Sequence, residues 1–150
     1  MKTLVTGATG LLGNNVVRML VEKGRDVRVL TRKSSDSRPL ADLPVEIWEG
    51  DIREEDSVHE AVAGMDVVIH CAGYVHVGWS GLELARAINV TGTELIAQAS
   101  LSANARMIHV SSVDALGVGS PDMPADEQSP REGKTPCTYV VTKREAEEVV

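Results

Sequence analysis

The chain begins MKTLVTGATGLLG, an apolar, β-branched run that breaks into glycines at positions 7, 10 and 13 before a pattern with helical spacing takes over. Glycines at these intervals permit a tight turn, let another group approach bare backbone, and let a helix pack closely on the strand before it. A helix that starts at such a turn offers unpaired N–H groups and a partial positive charge at its first turn. A strand, a G-x-x-G-x-x-G turn and a helix in that order make a cradle for a diphosphate. Without the strand the same glycines would signify only a tight connection. Gly7, Thr9, Gly10, Leu11, Leu12 and Gly13 are therefore the expected contacts of a dinucleotide.

The residues beyond the turn supply the strand-and-helix context. Thr3–Thr6, Val27–Leu30, Val45–Trp48, Val67–Cys71 and Met107–Ser111 have the length and near-continuous apolar character of strands buried on both faces. Between them, Leu12, Val16, Met19 and Leu20 share one helical face, then Val58, Ala61 and Val62, then Leu84, Ile88, Leu95 and Ala99. With right-handed crossovers this alternation predicts an α/β fold: a doubly wound parallel sheet with strand order 3-2-1-4-5 and helices on both faces. Gly24 is placed to cap the first helix, and Glu54 or Asp56 falls in the first turn of the second. Val113–Cys137, rich in Pro, Gly, Ser and acids, exceeds the ~12–15 residues usual for a connection. Its acidic stretch, Asp122–Glu132, reads as a solvated lid, and a last helix begins near Thr138.

Size and charge narrow the partners. The 150 residues suit one domain with one sizeable core. A formal charge of −7 argues against nucleic acid or an anionic membrane, so any phosphate must be bound locally. No apolar run approaches the ~20 residues of a membrane span. Cys71 and Cys137 form neither a metal-type spacing nor a disulfide framework, and the glycines come too early for a signal peptide. These features predict a reduced, cytoplasmic protein. His70, His76 and His109 lack ligand spacing, so no metal site is expected. His76 and Trp79 line either a substrate pocket or a surface loop.

Two short stretches carry chemistry. The second strand ends VRVLTRKSS, without the acid that would bind the adenosine ribose 2′-hydroxyl of NAD. Arg32 is suited to grip a 2′-phosphate by a forked contact, with Lys33 or Ser34 beside it, which favours NADP while leaving NAD open. Near the end, YVVTK places Tyr139 and Lys143 one helical turn apart on one face. A free phenol ionises near pH ~10, so a phenol acting as acid or base at neutral pH requires a nearby ammonium. Ser111 and Ser112 end the fifth strand at the edge where such sheets bind ligands, and alternation turns only one of them toward a substrate oxygen.

TGATGLLG, GDI at Gly50–Ile52, HCAG at His70–Gly73, NVTGT at Asn89–Thr93, HVSS at His109–Ser112 and YVVTK at Tyr139–Lys143 stand in this order. Together they resemble the extended short-chain dehydrogenase/reductase superfamily, of the NAD-dependent epimerase/dehydratase type and its dihydroflavonol-reductase-like branch. The resemblance implies a Rossmann fold and a Ser-Tyr-Lys mechanism in which Ser112, Tyr139 and Lys143 are catalytic. It also implies that Asn89 holds a water of the proton relay, that Asp51 binds the adenine amino group with Ile52 against the ring, and that Cys71, Ala72 and Gly73 line the cofactor. Hydride transfer at a carbonyl or secondary alcohol is implied as well, on a nucleotide sugar or small ketone, as a reductase or as an epimerase. The alternative is a non-enzymatic NAD(P) sensor; such relatives often lack the Tyr or the Lys, and both stand here. Residues 1–150 correspond to the dinucleotide-binding domain, and the further substrate-binding portion of extended members is absent from this sequence. A homodimer through the helices after strands four and five, with Leu84, Ile88 and Leu95 contributing, is a further implication.

Overall fold

A computed structural model describes every residue, Met1–Val150. Five strands, β1 (Lys2–Thr6), β2 (Asp26–Thr31), β3 (Glu46–Glu49), β4 (Val67–His70) and β5 (Arg106–His109), form one sheet in the order β3-β2-β1-β4-β5. Every adjacent pair is parallel, as the α/β pattern requires. Helices α1 (Leu11–Glu22) and α2 (Glu55–Val62) follow β1 and β3. After β4 the chain runs through α3 (Leu82–Arg86), a π-helical turn (Ala87–Thr91) and α4 (Gly92–Ser102), and α5 (Thr138–Glu148) follows β5.

Neighbouring residues of the central strands bury on opposite faces, which is the period of a strand covered on both sides. Leu4, Leu30 and Val68 pack with α2 and α4, whereas Val5, Val27 and Val29 pack with α1. The sheet therefore separates two apolar layers.

Helix ends are set by left-handed residues. Gly24 has φ +64°, with its N–H on the Val21 carbonyl and the Arg25 N–H on that of Leu20. This is the paired-bond helix stop in which glycine carries no Cβ penalty. Asn104, at φ 54°, ends α4 by the same pair of bonds to Leu101 and Ser100. Glu55 and Asp56 lie in the first turn of α2, favoured by the helix dipole.

Three local expectations change. The buried face of α1 is Gly13, Val17 and Leu20, while Leu12 and Met19 are exposed, because Gly13 presses against the turn and fixes the rotation of the helix. Leu84 does not share a buried face with Ala99; the π turn between them inserts a residue, and Leu84 is exposed. β4 and β5 stop at His70 and His109, each followed by one last ladder bond, Cys71 N–H to Thr6 and Val110 N–H to His70. Ser111 and Ser112 thus lie beyond the sheet, where the Ala115 N–H bonds the Ser112 carbonyl and turns the chain away. The connection from Val113 to Cys137 contains no helix or strand, and most of Ser120–Gly133 is exposed. No helix is long and apolar enough to cross a membrane.

Candidate functional site

β1 delivers the glycine turn to the carboxyl edge of the sheet. Gly7 adopts φ +69°, and a Cβ there would lie 2.6 Å from the Ala72 nitrogen, so the turn and the exit of β4 meet backbone to backbone. A Cβ on Gly13 would come within 2.3 Å of the Gly7 carbonyl oxygen, which is how closely α1 sits on the turn. Gly10 is different: it is exposed, and a Cβ would meet only that same oxygen, at 3.3 Å. Its carbonyl accepts the Asn14 N–H, so α1 begins directly beside open space.

That space is a cleft of about 270 Å³. Its lining takes Gly7, Thr9 and Gly10 from the glycine turn, Arg32 and Ser35 from beyond β2, Asp51, Ile52 and Arg53 from beyond β3, and Cys71, Ala72 and Gly73 from beyond β4. Tyr74 and Ile88 also line it. Leu11, Leu12, Gly13 and Lys33 lie outside this lining, as do Asn89, Ser112, Tyr139 and Lys143; Leu11 and Leu12 stand at the start of α1, where the helix amides are unpaired.

Sequence reasoning missed Arg53. The Asp51 carboxylate accepts the Arg53 N–H and Nε–H at 3.0 Å through Oδ1, and Nη2–H at 2.6 Å through Oδ2. The Arg53 hydrogen bond holds the Asp51 carboxyl below its usual range. The Asp51 N–H donates to Ser57 Oγ, and Gly50 leaves room for that hydroxyl, since a Cβ would fall 1.9 Å from it. The visible signal was an acid followed two residues later by an arginine, the spacing of an Asx-type turn. Gly92 serves Ile52 in the same way, a Cβ there lying 2.9 Å from Ile52 Cδ1.

α5 carries Tyr139 and Lys143. Its start is pinned by the Thr138 N–H to the Gly78 carbonyl (2.8 Å) and by Thr138 Oγ1–H to that of Ser80 (3.1 Å). Lys143 is buried, with Nζ donating to the Val110 carbonyl at 2.7 Å and lying 3.5 Å from His109 Nε2. Burial lowers its pKa, opposed by the Glu147 carboxylate. Ser111 Oγ–H donates to Glu147 Oε1, which commits that hydroxyl to α5. Ser112 Oγ accepts the Asp114 N–H at 3.2 Å and keeps its own proton available. Partners, not strand alternation, therefore distinguish the two serines.

Asn89 sits buried in the π turn. Its amide donates to the Tyr74 carbonyl and to Thr142 Oγ1, both at 2.9 Å, and Oδ1 accepts the Tyr74 N–H at 2.7 Å. Asn89 thereby joins Tyr74, in the lining of the cleft, to α5. Next to it His70 is buried, its pKa pushed down to about 3 by burial and then by the positive potential of His109 and Lys143. Both cysteines are free and half-buried, and burial raises the Cys71 pKa. No group of three or more His, Cys, Asp or Glu side chains is placed to hold a metal ion.

The model of the NAD dependent epimerase/dehydratase family matches residues 3–150. The chain belongs to that family. Among relatives of this epimerase/dehydratase-family chain, sterol demethylase protein B of Methylococcus capsulatus is 39% identical over 79% of the chain and 36% of that protein. A 4-hydroxy-2-methyl-3-oxo-4-farnesyl-3,4-dihydroquinoline-1-oxide ketoreductase of Stigmatella aurantiaca is 34% identical over 100% of the chain and 45% of its own length. The crystal structure of a short-chain dehydrogenase/reductase superfamily protein from Agrobacterium tumefaciens with bound NAD superposes with a TM-score of 0.82 at 27% identity, over 99% of this chain and 44% of that one. The chain thus spans less than half the length of these relatives. Its sheet order is that of the Rossmann fold, and the likeness in structure is to a short-chain dehydrogenase/reductase superfamily protein.

Proposed function

We propose that this chain binds NADP(H) in the cleft and supplies Ser112, Tyr139 and Lys143 for hydride transfer at a carbonyl or secondary alcohol. The observation that carries this reading is the junction at Gly7, where the β1 turn and the β4 exit meet with no room for a Cβ, beside the exposed Gly10 and the start of α1. A diphosphate fits bare backbone and the unpaired amides of that helix. Arg32 in the lining, with no acid at the end of β2, favours a 2′-phosphate and hence NADP over NAD.

The bound nicotinamide would supply or accept the hydride. Tyr139 donates its hydroxyl proton to the substrate oxygen in reduction and takes it back in oxidation. Ser112 gives that oxygen a hydrogen bond as charge develops. An ammonium has three donors, so Lys143, with one on Val110 and another toward His109 Nε2, retains a third for a ribose hydroxyl or the Tyr139 oxygen. Asn89 positions Tyr74 and α5 around the transfer.

For the substrate, a ketone or alcohol on an apolar skeleton is favoured over a nucleotide sugar. Val77 and Trp79 are 83% and 71% exposed on the loop whose Gly78 carbonyl holds the Thr138 N–H, one residue before Tyr139. The relatives named for a sterol and for a farnesyl quinoline support the same class. We infer that chain outside these residues completes the substrate pocket, and that Leu84, exposed on α3, contributes to a homodimer through the helices after β4 and β5.

Titration with NADPH and with NADH, followed by nicotinamide fluorescence, tests the reading. Saturable binding with NADPH the tighter is expected; no saturable binding of either removes it. With NADP⁺ bound, Trp79 emission should respond to a 3-hydroxysteroid and not to UDP-glucose, and the reverse selectivity overturns the substrate class.

A further inference from the structure

Beneath the cleft, Thr6, His70 and Thr93 form an unbroken buried hydrogen-bond chain whose protons can be assigned from its ends. The Ala72 N–H donates to Thr6 Oγ1 at 3.1 Å, and that oxygen lies 2.7 Å from His70 Nδ1. At the other end Thr93 Oγ1–H donates to the Asn89 carbonyl at 2.6 Å and lies 3.1 Å from His70 Nε2. A threonine hydroxyl has one proton, and Thr93 has given its own to Asn89. Thr93 must therefore accept from the ring, which puts the ring proton on Nε2. Full burial keeps the ring neutral, so Nδ1 is then the acceptor and takes the Thr6 hydroxyl proton. Thr6, His70 and Thr93 are all buried, so water competes for none of these bonds.

We propose that His70 is a positioning residue that sets both ends of the site at once. Nδ1 fixes Thr6 and through it Ala72, the residue whose nitrogen crowds Gly7. Nε2–H fixes Thr93 and through it the π turn, whose Asn89 holds Tyr74 and Thr142 of α5. An apolar residue of similar volume would fill the space and hold neither. That these two ends serve a nucleotide and a reacting group rests on the function proposed above; the hydrogen-bond chain itself needs no ligand.

Asparagine and glutamine at position 70 separate the two halves. An Asn amide reaches about as far as Nδ1 and can accept from Thr6, whereas a Gln amide reaches the place of Nε2 and can donate to Thr93. In hydrogen exchange read by NMR, His70→Asn should leave the Ala72 amide protected and speed exchange at Tyr74 about tenfold, and His70→Gln should do the opposite. Equal acceleration at both amides in both variants, or none, overturns the proposal. On the unsubstituted chain, long-range ¹H–¹⁵N spectra should show the neutral Nε2–H tautomer at pH 7, a readout that needs no variant to fold; the Nδ1–H tautomer or a charged ring overturns it. A chain that keeps this exchange split yet shows no saturable NADPH binding removes the nucleotide reading and leaves the His70 linkage standing.

Discussion

The Lys143 ammonium and the Val110 carbonyl, 2.7 Å apart, join the middle of α5 to the exit of β5, with Lys143 buried and Val110 half-buried. A buried amine is costly without such a partner, and the carbonyl is equally committed. Lys143→Met should destabilise the fold by about 1–3 kcal/mol in urea titration, because the Val110 oxygen loses its donor. Burial first, and then the positive charge of Lys143, push the His109 pKa down to about 4. In the variant the His109 resonances should therefore titrate at higher pH; an unchanged midpoint would show that Lys143 exerts no field there.

Tyr139→Phe removes one hydroxyl from the first turn of α5 and leaves the cleft lining untouched. Hydride transfer should fall by at least about 10²–10⁴-fold, as for loss of a general acid, with NADPH affinity within about twofold. Retained turnover, followed as NADPH oxidation, would take Tyr139 out of this role.

Arg32→Ala should weaken NADPH by about tenfold or more and NADH far less, since a charge-assisted hydrogen bond is worth about 1.5–3 kcal/mol. Equal losses for the two cofactors in parallel titrations would mean that Arg32 does not touch the 2′-phosphate.

Two glycines with similar backbone angles should respond differently to alanine. Gly24, at φ +64° with nothing within 4 Å of an added Cβ, should lose only the left-handed strain of about 1–2 kcal/mol. Gly7, at φ +69° and 2.6 Å from the Ala72 nitrogen, must also force β1 and β4 apart. Gly7→Ala should cost clearly more in thermal unfolding, and NADPH binding should weaken with it. Matching losses would mean that the backbone contact is slack.

Acid should act on the histidine pair before the carboxylates. His70 and His109 have pKa values pushed down to about 3 and about 4, burial being the first cause in each, against an ordinary 6.5. The unfolded chain therefore binds protons that the folded chain refuses. Stability is full above pH 6.5 and declines as pH falls toward 4, by up to about 1.4 kcal/mol per pH unit for His70 and less for the half-exposed His109. The carboxyls held low, such as Asp51 and Asp36, act only below their ordinary 3.8. Urea midpoints that stay level from pH 7 to pH 4.5 would contradict this.

The order of the sheet and the glycine turn were legible because their causes are local. A β-branched run, a glycine triplet and a helical face are each contained in one short, continuous stretch, and handedness does the rest. The exits of β4 and β5 and the choice between Ser111 and Ser112 depend on partners far along the chain, and the face of α1 on a backbone contact that no apolar periodicity reveals. Ser111 is decided by Glu147, and the rotation of α1 by the Gly13 contact with Gly7. His70 reads as one polar residue in an apolar run, because Thr6 is 64 positions away and Thr93 is 23. Arg53 escaped attention for a different reason: an arginine beside an acid is ordinarily a solvated pair.

The π turn at Ala87–Thr91, closed by the Gly92 N–H on the Ala87 carbonyl, holds one residue more than a regular turn. Excising a single residue there would restore an unbroken α-helix while swinging everything upstream of the cut by about 100° around the axis. Asn89 would then face away from Tyr74 and Thr142. The extra residue works as a phase shifter, letting one rod pack Ile96 and Ala99 under the sheet while aiming an amide at a loop and a helix on its other flank.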